Sequence, residues 1–204
     1  MSTTAIAGAR EPKRQRGRIR VAAIMDAAIA VFEEKGYDAA TMTEIAARSG
    51  TAIGSLYRFF PTKEALADAL LRQYTQHALD GLADLRARAG GMTLDELAGA
   101  LVDFRLSLAP QRSFAIVLLD ARGGSDDLRE KFRNAMLSGL AAILRKAMSL
   151  TPAKAATMAI VLLHILKAVT AADEEKPAER RALLAEIREL ARVYLASVRR
   201  SGAA

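Results

Sequence analysis

The 204-residue sequence predicts an all-α fold of about nine helices, on three observations. Alanine, leucine, arginine and glutamate are abundant, and all four are strong helix formers. Aromatic residues make up only 5% of the chain and tryptophan is absent, so side chains that favour strands are scarce. Five prolines punctuate a sequence whose apolar residues recur at the three- and four-residue spacing of a helix face.

Each element has its own signal. Val21, Ile24, Ala28, Val31 and Phe32 follow the helical repeat from Arg18, and Lys35-Gly36 supplies a cation in the last turn and then a glycine stop. Thr41-Met42-Thr43-Glu44 matches a capping box and opens a short second helix that runs to about Ser49. Gly50, able to take a positive φ, lets the chain turn into a third short helix over about residues 52–59, which Pro61 ends. Thr62 then caps a long fourth helix carrying Leu66, Leu70, Leu71, Tyr74, Ala78, Leu82 and Leu85, stopped by Gly90-Gly91.

The second half repeats this logic. A fifth helix carries Leu94, Leu97, Leu101, Phe104 and Leu108 as far as Pro110, and residues 114–121 form a short, nearly all-apolar sixth. Gly123-Gly124 breaks the chain, and Ser125 with Asp126 and Asp127 starts a seventh, with Leu128, Phe132, Met136, Leu140, Ile143 and Leu144 inward. Thr151-Pro152 starts an eighth, apolar on all sides over residues 155–166 and therefore expected to be buried on several faces. After Pro177 the last helix places Leu183, Leu184, Ile187, Leu190, Ala191, Tyr194 and Val198 on a wide apolar face.

Composition and charge narrow the function. With no cysteine there is no disulfide framework and no thiolate site, and His77 and His164 are too far apart in sequence to suggest a metal box. No glycine-rich phosphate loop, nucleophile motif or carboxylate pair at metal spacing is apparent, so neither an enzyme nor a cofactor is expected. The apolar run over residues 155–166 falls short of the ~20 residues of a membrane span, and a cytoplasmic protein is the expectation. Of the net charge of +7, residues 1–20 hold +5: Arg10, Lys13, Arg14, Arg16, Arg18 and Arg20 against Glu11. A basic arm on a nearly neutral body points to nucleic acid or an anionic membrane.

Two short helices joined through Gly50 have the form of a helix-turn-helix, whose second helix enters the DNA major groove. Ala46, just before the turn, is small enough for the two helices to approach closely. Thr41 and Lys63, each at a helix start, are candidate phosphate contacts, as is the Tyr57 hydroxyl. Arg16 and Arg18, in the arm, would follow the backbone or a minor groove.

The string Gly36-Tyr37, Thr41-Met42-Thr43-Glu44-Ile45-Ala46, Ser49-Gly50, Gly54-Ser55-Leu56-Tyr57-Arg58-Phe59-Phe60 and Lys63-Glu64-Ala65-Leu66 resembles the DNA-binding domain of the tetracycline-repressor (TetR) family. By motif the resemblance covers about residues 17–68, and beyond them it rests on helix count and chain length. It implies a dimeric transcription regulator, most members being repressors. Three N-terminal helices would bind a palindromic operator, C-terminal helices would hold a small-molecule effector, and the last two helices of each subunit would form a four-helix dimer interface. On this resemblance residues 1–17 are an arm without fixed structure, 18–63 the DNA-binding domain and 64–204 the effector and dimerisation domain.

The resemblance also implies phosphate contacts for Thr41, Tyr57 and Lys63, and places Ala52, Ile53, Ser55 and Arg58 near base edges. Many relatives have a lysine or polar residue where this chain has Ile53, so Ala52 and Ile53 are expected to touch thymine methyls and Arg58 to read guanine. An effector pocket is implied among Phe104, Leu108, Phe114, Leu118, Met136, Leu140, Met158 and Leu162, suited to a hydrophobic or amphipathic molecule. Arg105 would serve either an anionic effector or a structural carboxylate, and His164 either the pocket or the core. Dimerisation has independent support, because the all-apolar eighth helix and the wide face of the ninth would leave a monomer with a large exposed patch. A twofold dimer would read half-sites about one helical turn, ~34 Å, apart or a multiple of it. The rival reading is an architectural DNA-binding protein of the same fold, without an effector.

Overall fold

Backbone hydrogen bonding in the described residues is carried by helices and the turns between them. The computed structural model describes residues 13–121, 126–173 and 175–201, and among these there is no strand. The described residues form nine α-helices in order: α1 (Lys13–Ala39), α2 (Met42–Arg48), α3 (Ile53–Phe59), α4 (Lys63–Arg88), α5 (Leu94–Ser107), α6 (Arg112–Ala121), α7 (Asp126–Met148), α8 (Pro152–Lys167) and α9 (Pro177–Ser201). Tight 3-10 turns at Ala89–Gly91, Ala109–Gln111 and Ala168–Asp173 follow α4, α5 and α8. The chain divides into two compact units, Met1–Leu70 and Leu71–Ala204, so the first turns of α4 belong to the N-terminal unit.

In the N-terminal unit α1 begins at Lys13, earlier than the periodicity from Arg18 suggests, and residues 13–17 of the expected arm are helical. The rest of that arm lies outside the described residues. Gly36 (φ 78°, ψ 166°) breaks α1 in a conformation that L side chains rarely adopt, which is the stop expected of it. The apolar stripe of α1 (Ile24, Ala28, Val31, Phe32) is buried with Ile45 and Ala46 of α2, Leu56 of α3, Phe60, and Leu66 and Leu70 of α4. Burying a side chain such as Phe32 or Leu56 contributes about 1.5–3 kcal/mol, and this small core holds α2 and α3 in place.

The C-terminal unit packs α7 against α8 and α5 against α9. Helices approach most closely where glycine removes a side chain. A Cβ at Gly81 of α4 would lie 2.8 Å from the Phe104 ring of α5, and one at Gly139 of α7 would lie 2.6 Å from Leu82 Cδ1 of α4. Two expectations need correction. Helix α8 is not buried on all its apolar faces: Ile160 (42% exposed), Val161 and His164 face outward, because the α7 and α9 neighbours cover one side. With the following 3-10 turn the apolar stretch reaches 22 residues (Pro152–Asp173), long and apolar enough to cross a membrane by length and composition alone, with 44% of its most apolar window buried in the protein. The Gly123-Gly124 break and Ser125 lie outside the described residues, as do the side chains of Leu128 and Val198.

Candidate DNA interface and effector cavity

The turn between α2 and α3 is fixed at both ends. At the start of α2 the Thr41 hydroxyl accepts the Glu44 N–H (3.2 Å) while the Thr41 N–H donates to Glu44 Oε2 (3.1 Å), the reciprocal box read from the sequence. At its end the Gly50 N–H donates to the Ala47 carbonyl (3.2 Å) and the Thr51 N–H to that of Ala46 (3.0 Å), a Schellman closure with Gly50 at φ 61°. Two exposed ion pairs, Lys35 with Glu44 and Arg48 with Glu34 (2.6 Å), tie α2 back to α1. The Lys35 ammonium and the Thr41 hydrogen bonds hold the Glu44 carboxyl below its ordinary range, and Arg48 does the same for Glu34.

Helix α3 is anchored by one fully buried side chain, Leu56, and turns the remainder outward. Ile53 is 41% exposed and Tyr57 48%, with Ala52 and Arg58 also exposed and Ser55 half-buried. Phe59, which sequence reasoning did not single out, is exposed as well, while Phe60 beside it is buried. Arg16 and Arg18 are exposed on the first turns of α1.

Two expected phosphate contacts have partners within the protein. The Thr41 hydroxyl also donates to Glu44 (2.9 Å), which sets a carboxylate beside it. The Lys63 ammonium donates to three backbone carbonyls, those of Tyr37 (2.7 Å), Asp38 (3.1 Å) and Ala40 (3.0 Å), and lies 4.5 Å above the centre of the Tyr37 ring. An ammonium has three protons to donate, so all of them are engaged.

The C-terminal unit contains an open-sided cavity of about 600 Å3, within the ~300–1,000 Å3 range of small-molecule sites. Of the residues expected around an effector, Arg105, Leu108 and Met136 line it. The other seven do not. Phe104 is taken up against Gly81, Phe114 rests edge-on to Tyr74 (6.4 Å), and Leu118, Leu140, Met158 and Leu162 are fully buried core side chains. His164 is exposed, its Nδ1 2.7 Å from the Ile160 carbonyl of its own helix, and so is neither a core nor a cavity residue.

Sequence reasoning missed much of the wall. Tyr74 of α4 and Phe132 of α7, their rings 5.5 Å apart, face Leu163 and Leu166 of α8 around the cavity. Arg112, Arg129, Arg133 and Lys167 also line it. A signal for part of this wall was present: Arg129, Phe132, Arg133 and Met136 recur at helical spacing and fall on one stripe of α7. Arg105 is 8% exposed. Burial and then the charge of Arg112 push its guanidinium below its ordinary value, with Tyr74 and Asp173 opposing. Burial raises the Tyr74 hydroxyl, against the pull of Arg105 and Arg112.

A tight two-helix turn carrying an outward-facing second helix defines a helix-turn-helix protein of the DNA-binding class. Residues 24–70 match the family of bacterial regulatory proteins called tetR. Over 98 residues it is 35% identical to the HTH-type transcriptional repressor KstR of Mycolicibacterium smegmatis, a match spanning 48% of this chain and 47% of that one. The matched segment thus covers about half the length of that relative. The fold is similar to that of a TetR-like transcriptional regulator from Rhodococcus sp. RHA1 (TM-score 0.61, 22% identity, 89% of this chain and 96% of that one). It is also similar to the transcriptional regulator FadR of Bacillus subtilis, solved in complex with stearoyl-CoA (TM-score 0.58, 22% identity, 83% and 96%).

Proposed function

We propose that the chain is a homodimeric, ligand-responsive transcriptional regulator that represses from a palindromic operator until a small molecule occupies the cavity of its C-terminal unit. The observation that carries the DNA-binding half is the exposure of Ile53, Tyr57 and Arg58 around the single buried anchor Leu56. Arg58 reads guanine, Ala52 and Ile53 meet thymine methyls, and Ser55 lies at the same edge. Tyr57, Arg16 and Arg18 hold phosphates, while Thr41 and Lys63, whose donors are engaged within the protein, serve the site by capping α2 and fixing the segment before it.

The exposed apolar residues of α8 and α9, among them Ile160, Val161, Leu190 (54% exposed) and Val193, support a twofold dimer through these helices. The cavity favours an effector over a purely architectural role, since a chromosome-organising protein has no use for a ~600 Å3 recess of small-molecule size. Release follows if the effector binds better to the dimer conformation whose recognition helices no longer match the half-site spacing. Such a protein acts where the DNA is, in the cytoplasm.

The test is binding to the DNA upstream of the protein's own gene against an equal-length random duplex, titrated across salt. Saturable binding to the upstream fragment that survives competitor is expected, and footprinting would then give the operator. Equal, steeply salt-dependent binding to both duplexes and to every genomic fragment tried would favour the architectural reading.

A further inference from the structure

We propose that the cavity of the C-terminal unit takes an anionic amphiphile, its acidic group seated on Arg105 and Arg112 and its apolar body between Tyr74, Phe132 and Met136. This rests on the effector reading above and adds the chemical class. Arg105 is the carrying observation: an arginine only 8% exposed that lines the cavity and has no hydrogen-bond or ion-pair partner among the described residues. A buried charge is ordinarily paired, because the interior does not replace the water that solvated it. Here the nearest strong field is that of Arg112, which repels it, and the weaker attractions come from Tyr74 and Asp173.

The remaining wall agrees. Arg105, Arg112, Arg129, Arg133 and Lys167 all line the cavity, and no carboxylate does so among the described residues. A neutral hydrophobic ligand would leave Arg105 and Arg112 uncompensated. A cationic one would be repelled. Two guanidinium groups present planar forks of N–H donors that fit a carboxylate or a phosphate oxygen pair. The apolar side is supplied by the Tyr74–Phe132 ring pair, with centroids 5.5 Å apart and tilted 32°, and by Met136, whose unbranched side chain adapts to an alkyl body. The same chemistry arises in a free acid and in a phosphate-bearing conjugate.

The experiment is calorimetric titration of the full-length protein with decanoate, decyl phosphate, decanoyl-coenzyme A, decanol and decylamine below their aggregation concentrations. Decanoate and decyl phosphate are expected to bind once per chain, and decanol and decylamine at least about 30-fold more weakly, the size of a charged hydrogen bond lost. Arg105→Met should lose about 30- to 100-fold for the two acids, leave decanol unchanged and raise the melting temperature of the ligand-free protein. A merely structural arginine would instead lower it.

The assignment is overturned if decanol matches decanoate, or if Arg105→Met keeps its affinity for both acids. It is also overturned if decanoyl-coenzyme A alone binds and depends on Arg133 and Lys167 but not on Arg105, which would put the headgroup at the more exposed cations. Adding each ligand to the protein–DNA complex separates this from the effector reading. Arg105-dependent binding that leaves DNA bound supports the ligand class and defeats the release mechanism. Release by a neutral compound in an Arg105→Met background does the reverse.

Discussion

Lys63 binds Tyr37 twice over: its ammonium takes the Tyr37 carbonyl at 2.7 Å and sits 4.5 Å above the ring of the same residue. Tyr37 in turn donates its hydroxyl to Glu64, the next residue of α4, at 3.2 Å. Through these contacts the first turn of α4 caps the irregular segment between Gly36 and α2, whose carbonyls have left the helical ladder. The lysine is a brace before it is anything else. Lys63→Met should therefore destabilise the protein by about 1–3 kcal/mol, because carbonyls that shared a charged donor lose it. Chemical denaturation measures this. The slope of DNA affinity against salt should stay unchanged, whereas loss of a phosphate contact would lower it by about one.

Arg58 is exposed on α3 between Tyr57 and Phe59 and so is free to reach into a groove. Arg58→Ala should weaken binding to the operator by about 1–3 kcal/mol and leave random duplex unaffected. Mobility shifts on both DNAs decide it, and equal losses would contradict base reading by this residue.

Two glycines in helix interiors should respond in opposite directions. At Gly99 of α5 an added Cβ meets nothing within 4 Å, so Gly99→Ala gains about 0.5–1 kcal/mol of helix stability. At Gly139 the same change drives into Leu82, and overpacking of about 1–3 kcal/mol outweighs that gain. Thermal melts of the two variants should shift up and down respectively.

Glu34, Glu44 and Glu64 each have a folded-state pKa depressed below the ordinary 4.5, held there by Arg48, by Lys35 with Thr41, and by the Glu64 N–H with Thr62. A depressed carboxylate contributes stability that is present above 4.5 and lost as the pH falls through the folded value. Melting temperature should thus decline on acidification below pH 4.5, and Glu44→Gln should flatten part of that decline.

Exposed Val161 and Leu190 lie on α8 and α9, the helices proposed to form the dimer. The double change Val161→Glu and Leu190→Glu should yield a monomer in analytical ultracentrifugation, with circular dichroism unchanged. A dimer that persists would place the interface elsewhere.

The N-terminal unit was legible in the sequence because its determinants are local. The Thr41–Glu44 box, the turn glycines Gly36 and Gly50, and the apolar repeat of Ile24, Ala28, Val31 and Phe32 each announce themselves within a few residues. The cavity was far less legible. Its wall joins Tyr74, Arg105, Phe132 and Lys167 from four helices, and nothing in the sequence distinguishes a lining leucine such as Leu108 from a core leucine such as Leu118. His164 was misread for a related reason: an apolar neighbourhood along the chain does not specify which side of α8 will be covered. Lys63 was legible as a cation at a helix start, but its three carbonyl partners lie more than twenty residues back, and only the fold brings them within reach.

If an anion seats on Arg105 and Arg112 as proposed, it offsets the repulsion between the two guanidinium groups, and the occupied form is then the more stable one. Ligand binding to the native state alone adds about 2.7 kcal/mol when ligand exceeds its dissociation constant a hundredfold. Changes of that size alter how much of a protein escapes cellular proteolysis, several-fold for each ~1–2 kcal/mol. The same molecule that lifts the regulator from DNA would then lengthen the regulator's lifetime, leaving a larger pool ready to restore repression as the signal is consumed.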